Sequence, residues 1–263
     1  MDEDEFNDVI EVKDEPVEID PFIQETVERP SFIRTNKMCP GCGALLGLKI
    51  ALQVLGKKIL VSSYGCAEKL ANSLDVPFIA LPDAASAASI ISDYENVLVY
   101  SGDGGTREFL QSVISVAENN KNVIYICHND QGRCGINKPA FEFPIAKSIP
   151  GNYCATASVS EPSDYIRKLK RCSVVGGFRF IEVLTPCPEL WKFDPSNTIE
   201  VARLAVETGL WPLYEVEHGR LKLKKISKFE PVERYLELSG LSFSNEDLEK
   251  INSLIKRKWK MIK

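Results

Sequence analysis

The sequence predicts an α/β protein: a parallel sheet with helices on both faces, followed by a C-terminal extension. Three observations carry this. Short apolar, β-rich runs at residues 58–64, 97–101 and 122–127 alternate with segments of helical periodicity at 43–55, 84–92 and 106–118, and strands alternating with helices build a parallel sheet covered on both sides. Glycine-bearing turns follow the first two of these strands directly, at Gly65-Cys66 and Gly102-Asp103-Gly104. At 263 residues and 44% hydrophobic content, the chain can bury a substantial core.

The elements follow in order. Residues 43–55 carry apolar side chains at helical spacing without proline, so the preceding Cys39-Pro40-Gly41-Cys42 turn opens a helix. Lys58 to Tyr64 reads as a strand that delivers Cys66 at its carboxyl end. A small-residue helix spans Ala84 to Ser92, a buried strand Val97 to Ser101, a helix Thr106 to Glu118 and a strand Asn122 to Cys127. A loop runs from Gly132 to Tyr153, and Glu161-Pro162-Ser163-Asp164 opens the next helix. The strand Arg179 to Leu184 then delivers Cys187. Beyond Trp191 come a helix at 199–208, a β-like piece at 213–223 and a closing amphipathic helix with Ile251, Leu254, Ile255, Trp259 and Ile262. Three parts are expected: an acidic tail at 1–28, a binding domain at 29–210 and an extension at 211–263 that packs on the domain or on a partner.

Charge is uneven. The first twenty residues hold ten acids against Lys13 alone, a charge of −9 that leaves +4 for the remainder of a chain whose total is −5. Two readings stand for this tail: a solvated acidic segment, or an arm that docks on a basic partner. Neither end interleaves a basic stripe with aromatics, which speaks against nucleic acid. No apolar run approaches the ~20 residues of a membrane span, and acids rather than a basic leader follow Met1, so a cytoplasmic protein is expected.

Four of the eight cysteines stand apart: Cys39, Cys42, Cys66 and Cys187. A Cys-x-x-Cys pair alone serves zinc sites, redox dithiols and iron–sulfur sites alike. Here the third and fourth cysteines are single and distant, each at a Gly or Pro turn. Convergence of four thiolates suits an iron–sulfur cluster, and spacing alone leaves cluster, zinc and unrelated thiols open. Cys127, Cys154 and Cys172 read as small buried hydrophobes, and Cys134 as a structural loop residue.

Between Cys66 and Cys187 lies Ser101-Gly102-Asp103-Gly104-Gly105-Thr106, and further on His128-Asn129-Asp130. Glycines after a buried strand let the backbone approach a phosphate, and Asp103 offers a hard oxygen to a divalent cation bridging a diphosphate. A second oxygen from the neighbouring strand end is available at Asn129 and the Gln131 carbonyl. The pattern is neither a Gly-x-Gly-x-x-Gly dinucleotide turn nor a P-loop. Both strand ends fall at the carboxyl edge, where such sheets bind ligands.

With these motifs in hand, the chain over residues 30–263 resembles the β subunits of the 2-oxoacid:ferredoxin oxidoreductases, the pyruvate branch most of all. The resemblance lies in Cys-Pro-Gly-Cys-Gly at 39–43, Gly-Cys-x-Glu at 65–68, Ser-Gly-Asp-Gly-Gly-Thr at 101–106 and Ala-Thr-Ala-Ser at 155–158. It continues in Pro-Cys-Pro at 186–188, Ala-Val-Glu-Thr-Gly-Leu-Trp-Pro-Leu-Tyr-Glu-Val at 205–216 and Pro-Val-Glu-x-Tyr-Leu at 231–236. It implies a thiamine-diphosphate-binding fold of the diphosphate type. Gly65, Glu68, Gly102, Asp103, Gly104, Gly105, Thr106, Asn129 and Gln131 would line the coenzyme, and Asp103, Asn129 and the Gln131 carbonyl would hold Mg2+. Cys39, Cys42, Cys66 and Cys187 would hold one [4Fe–4S] cluster. The resemblance also implies α-, γ- and δ-type partner subunits, ferredoxin as electron acceptor and coenzyme A as co-substrate. The glutamate that activates the coenzyme is expected from a partner, leaving this chain inactive alone.

The chain departs from that family's pattern at Pro82-Asp83-Ala84-Ala85, at Gly132-Arg133-Cys134-Gly135 and in a shortened loop from Lys138 to Ser148. All three lie on the expected substrate side, and Arg133 is a candidate contact for a substrate carboxylate, with a solvated loop arginine as its counterpart reading. Pyruvate is the expected substrate, with 2-ketoisovalerate, 2-oxoglutarate and oxalate as alternatives. A non-redox thiamine-diphosphate lyase, which would not need the cysteine quartet, and a zinc-stabilised subunit without catalysis remain as other readings.

Overall fold

The computed structural model describes residues 38–56, 58–132, 144–226, 228–240 and 243–262. The tail at 1–28, Arg133 and Cys134 lie outside the described residues. The first half of the chain runs α1 (Gly43–Leu55), β1 (Ile59–Ser62), α2 (Cys66–Asn72), β2 (Phe78–Ala80), α3 (Ala84–Ile91), β3 (Val97–Gly102), α4 (Asp103–Glu108), α5 (Leu110–Glu118) and β4 (Val123–Asn129). A 3-10 turn at Ala146–Ser148 precedes β5 (Tyr153–Ser158), α6 (Pro162–Val174), β6 (Arg179–Leu184) and α7 (Pro188–Trp191). A second 3-10 turn, Pro195–Asn197, leads into α8 (Thr198–Glu207), β7 (Tyr214–Glu217), β8 (Arg220–Leu223), α9 (Val232–Leu238) and α10 (Asn245–Ile262).

The strands form one eight-stranded sheet in the order β2-β1-β3-β4-β6-β5-β7-β8. Pairing is parallel from β2 through β5, and the β7–β8 hairpin joins antiparallel through Tyr153↔Glu217 to Ala155↔Glu215. The inner strands β4, β5 and β6 are buried along their whole lengths, as strands covered on both faces must be. Leu98, Tyr100, Ile124 and Ile126 belong to one core with Leu48, Leu52, Leu169 and Val201 from α1, α6 and α8. Val97, Val99, Val123 and Tyr125 belong to the other, with Ala88 of α3 and Val113 and Val116 of α5. The α/β architecture read from the alternation is therefore the one present.

Two expected elements change shape. The helix expected from Thr106 starts at Asp103 and breaks at Phe109, whose φ of −105° and ψ of 29° end α4 before α5 begins. The strand expected to end at Cys127 runs two residues further, so Asn129 is its last residue rather than part of the following loop. Five helices and strands were not anticipated: α2, the edge strand β2, β5, α7 and α9.

The C-terminal hairpin is held to the sheet by more than its ladder. Trp211 is fully buried and its Nε1 donates to the Ala157 carbonyl at 2.8 Å. Thr156 Oγ1 donates to Pro212 O and accepts from Tyr214 N, at 2.8 and 2.9 Å. The closing helix α10 packs back on this region, with Lys258 Nζ on the Leu210 carbonyl and Trp259 Nε1 on the Gly209 carbonyl. Among the described residues the sheet ends at β2, three residues long, and at β8, which carries exposed Arg220 and half-buried Lys222. Among the described residues no helix is long and apolar enough to cross a membrane.

Candidate functional site

Strand order places the site. From β1 the chain moves outward to β2, and from β3 it moves the other way across the sheet, so the switch point lies between the carboxyl ends of β1 and β3. A crevice opens at such a point because the two connecting helices diverge to opposite faces. On one side stand Ser63, Gly65 and Cys66; on the other stand Ser101, Gly102 and Asp103. Ser101 Oγ donates to Ser63 Oγ across the gap at 2.8 Å.

The Gly-Asp-Gly segment wraps this edge. Gly102 ends β3, and Asp103, Gly104, Gly105 and Thr106 form the first turn of α4. A Cβ on Gly104 would meet nothing within 4 Å, so its backbone faces open space, whereas one on Gly105 would press on Ser63 at 3.0 Å. Thr106 is buried and structural: its Oγ1 donates to Gly102 O at 2.8 Å and meets Tyr125 OH at 3.1 Å. Burial pushes the Asp103 carboxyl well above the usual range, and the nearby Asp130 and Glu182 carboxylates push it further. Asp130 is also raised by burial.

The second strand end is built around an amide and a carboxylate. Asn129 Nδ2 donates to Glu182 Oε1 at 2.8 Å, and Asn129 Oδ1 accepts from Gln131 N at 2.7 Å. The other Glu182 oxygen accepts from the backbone N–H of Ile145 and Ala146, at 2.6 and 3.2 Å. Glu182 is fully buried, and burial raises its pKa against these hydrogen bonds. Gln131 adopts a left-handed φ of 56°, which turns the chain sharply after Asn129. The turn is pinned from β6 and α7: Thr185 N donates to Asn129 O, and Trp191 Nε1 donates to Asp130 O, both at 2.8 Å.

Among the described residues, the buried side-chain nitrogens and oxygens without a hydrogen-bond partner belong to Ser62, His128, Gln131 and Thr185. All four residues sit at or just past the carboxyl ends of β1, β4 and β6. Buried polar atoms ordinarily find partners, so this one edge is shaped for a polar guest. Three acids raised by desolvation, Asp103 further by its two acidic neighbours and only partly offset by Arg107, add a preference for a cation. The donor set of Asp103, Asn129 and the Gln131 carbonyl is all oxygen, which suits Mg2+.

Of the four singled-out cysteines, Cys66 and Cys187 lie just past β1 and β6 at this edge, with Cys42 near both. Cys42 caps α1 and its Sγ accepts from Leu45 N at 3.4 Å; Cys66 is the first residue of α2; Cys187 caps α7. Cys39 and Cys66 are exposed, Cys42 and Cys187 partly buried, and Cys127, Cys154 and Cys172 fully buried. Burial raises the Cys42 thiol, and Cys39 and Cys66 lie near enough to raise it further. Cys187 is pushed up to about 11 by burial, with Asp130 and Cys42 contributing. Among the described residues, no group of three or more His, Cys, Asp or Glu side chains is gathered closely enough to hold a metal ion. The thiols are thus neighbours without forming a closed cage. Gly41, in the left-handed region at φ 65°, lets this turn lie against Pro195 and Thr198, where a Cβ would come within 2.4 Å of the Pro195 carbonyl.

Gly65 takes φ 96° before α2, and half-buried Glu68 lies in that helix's first turn. Arg133 lies outside the described residues. Sequence reasoning overlooked Glu182, which orients Asn129. Its signal was a single acid within the apolar strand Phe180-Ile181-Glu182-Val183-Leu184, a position where an ionisable group needs partners.

Residues 79–138 match the family model of the thiamine pyrophosphate enzyme C-terminal TPP binding domain. The pyruvate synthase subunit PorB of Methanothermobacter marburgensis is 34% identical over 247 aligned positions, covering 76% of this chain and 85% of that one. PorB of Methanocaldococcus jannaschii is 31% identical, covering 88% and 96%. The ketoisovalerate oxidoreductase subunit VorB of Pyrococcus horikoshii is 30% identical, covering 89% and 92%. In fold, the chain is similar to a 2-oxoglutarate:ferredoxin oxidoreductase from Magnetococcus marinus, with a TM-score of 0.50 and 19% identity over 86% of this chain and 93% of that one.

Proposed function

Because the chain belongs to the β-subunit family of the 2-oxoacid:ferredoxin oxidoreductases, we propose that it binds thiamine diphosphate, Mg2+ and one [4Fe–4S] cluster and serves the oxidative decarboxylation of a 2-oxoacid, pyruvate first. The observation that carries this reading is Asp103: a half-buried carboxyl at the switch point, raised by desolvation and further by Asp130 and Glu182, is an acid waiting for a cation. The pyruvate synthase relatives favour pyruvate, and the ketoisovalerate relative keeps the branched 2-oxoacid as second choice.

Each residue then has a task. Asp103, Asn129 and the Gln131 carbonyl hold Mg2+, with Glu182 fixing the Asn129 amide so that its oxygen faces the Gln131 turn. The exposed backbone at Gly104 admits a diphosphate. When bound, thiamine diphosphate supplies the thiazolium on which a 2-oxoacid loses its carboxyl carbon as CO2. Cys39, Cys42, Cys66 and Cys187 are the donors for a cluster that accepts electrons one at a time. Their mutual influence supports this, and an open thiol set accords with metal sites that close only on loading. Partner subunits of α, γ and δ type, ferredoxin as acceptor and coenzyme A as co-substrate complete the reading, and the chain alone is inactive.

Anaerobic co-purification with the partner subunits, followed by iron, sulfide, zinc and thiamine analysis, tests it. About four irons per chain with one thiamine diphosphate is the expected result; zinc, or no metal, sinks the cluster. Turnover of pyruvate, 2-ketoisovalerate, 2-oxoglutarate and oxalate with a viologen dye then ranks the substrates.

A further inference from the structure

His128 is one of two histidines in the chain and is only 5% exposed. Neither ring nitrogen has a hydrogen-bond partner among the described residues. A buried imidazole that forgoes both hydrogen bonds loses its hydration without compensation, which is costly. Its surroundings explain the deficit. One face stacks on Tyr100, ring centroids 5.0 Å apart, and the Tyr100 hydroxyl is already committed to the Ala44 carbonyl at 2.6 Å. The ring's Cε1–Nε2 edge faces Gly102, which pairs with His128 in the β3–β4 register; a Cβ on Gly102 would lie 3.3 Å from Cε1 and 3.5 Å from Nε2. The Gly102 carbonyl in turn is taken by Thr106 Oγ1. These two neighbouring polar groups are therefore occupied, and the crevice is where a partner can enter.

Resting on the coenzyme reading above, we propose that His128 is a further coenzyme-binding residue, whose Nε2–H donates to a phosphate oxygen of the diphosphate lying over Gly102. Mg2+ prefers oxygen ligands, so the imidazole suits the anion rather than the cation. An imidazole with an N–H on Nε2 offers the donor that such a contact needs. Gly102 is the residue whose missing side chain leaves room for this contact. His128 is thereby distinct from Asn129, the next residue along β4, whose side chain serves the metal turn.

The test uses the assembled oxidoreductase, stripped of coenzyme and metal by chelation and titrated with Mg2+ and either thiamine diphosphate or inorganic pyrophosphate. His128→Phe keeps the stack on Tyr100 and removes both nitrogens. It is expected to weaken both ligands by about ten- to a hundredfold, the range of a charge-assisted hydrogen bond. Its coenzyme-free melting temperature should equal or exceed that of the parent, since an unsatisfied polar group has gone. His128→Gln, which retains an N–H donor, should recover part of the affinity. Unchanged affinity in His128→Phe overturns the proposal, as does a coenzyme-free variant that melts below the parent, which would make the ring a structural element. Failure of the parent complex itself to bind thiamine diphosphate overturns the coenzyme reading instead.

Discussion

Glu182 and Asn129 face each other across neighbouring strands, carboxylate to amide at 2.8 Å, and the register that pairs Cys127 with Glu182 puts them on one face of the sheet. The contact fixes which end of the Asn129 amide is donor and which is acceptor.

Replacing that acceptor with a mixed group is therefore informative. Glu182→Gln sets an NH2 against donors, because Asn129 Nδ2 and the Ile145 and Ala146 N–H groups all point at this side chain. Isothermal titration with Mg2+ and thiamine diphosphate should give an affinity about ten- to a hundredfold lower, as for other residues that orient metal ligands. Parent-like affinity would mean that Asn129 does not need Glu182.

Asp103→Asn separates stability from loading. Removing a half-buried acid that Asp130 and Glu182 oppose should raise the melting temperature of the metal-free protein. The same change should abolish the stabilisation that Mg2+ with thiamine diphosphate confers. Differential scanning calorimetry with and without the ligands reads both effects, and a parent-sized ligand shift in the variant would remove Asp103 from the metal set.

The cysteines divide four against three among the described residues. Serine at Cys39, Cys42, Cys66 or Cys187 should cut the iron content of anaerobically purified complex, while alanine at buried Cys127, Cys154 or Cys172 should leave it intact. Gly41→Ala offers a version that touches no thiol: it forces a Cβ into the Pro195 carbonyl at a left-handed position, and should lower iron and the broad visible absorbance together.

Alkaline stability depends on the tyrosines. Burial raises the phenols of Tyr100, Tyr125, Tyr153, Tyr165, Tyr214 and Tyr235, six of the eight in the chain. A raised folded pKa means that the unfolded state sheds protons first, so stability is intact below about pH 10 and falls as pH rises beyond it. Phenolate absorbance from these six should appear only as the far-ultraviolet dichroism is lost.

The strongly patterned elements were legible in the sequence: α1 begins and ends where its periodicity does, and β6 matches its apolar run residue for residue. What escaped has physical reasons. β5 is Tyr-Cys-Ala-Thr-Ala-Ser, mostly small residues of weak strand preference that owe their conformation to neighbours on both sides. α2 and β2 are seven and three residues long, too short to show a period. The Gly-Asp-Gly segment and Asn129 could be singled out because their pattern is local in the sequence. Glu182 carried only the signal of an isolated acid in an apolar strand, and its role escaped because its partners come from 37 and 53 residues away.

The hairpin at the end of the sheet also sets the charge of one sheet edge. An open strand edge is a template for pairing with a second chain, and the sheet guards its two edges by different means: brevity at β2, and at β8 the cationic Arg220 and Lys222. Two β8 edges brought together would set like charges side by side, so edge-to-edge aggregation is opposed there by electrostatics, and concentrated salt weakens that protection as it screens them.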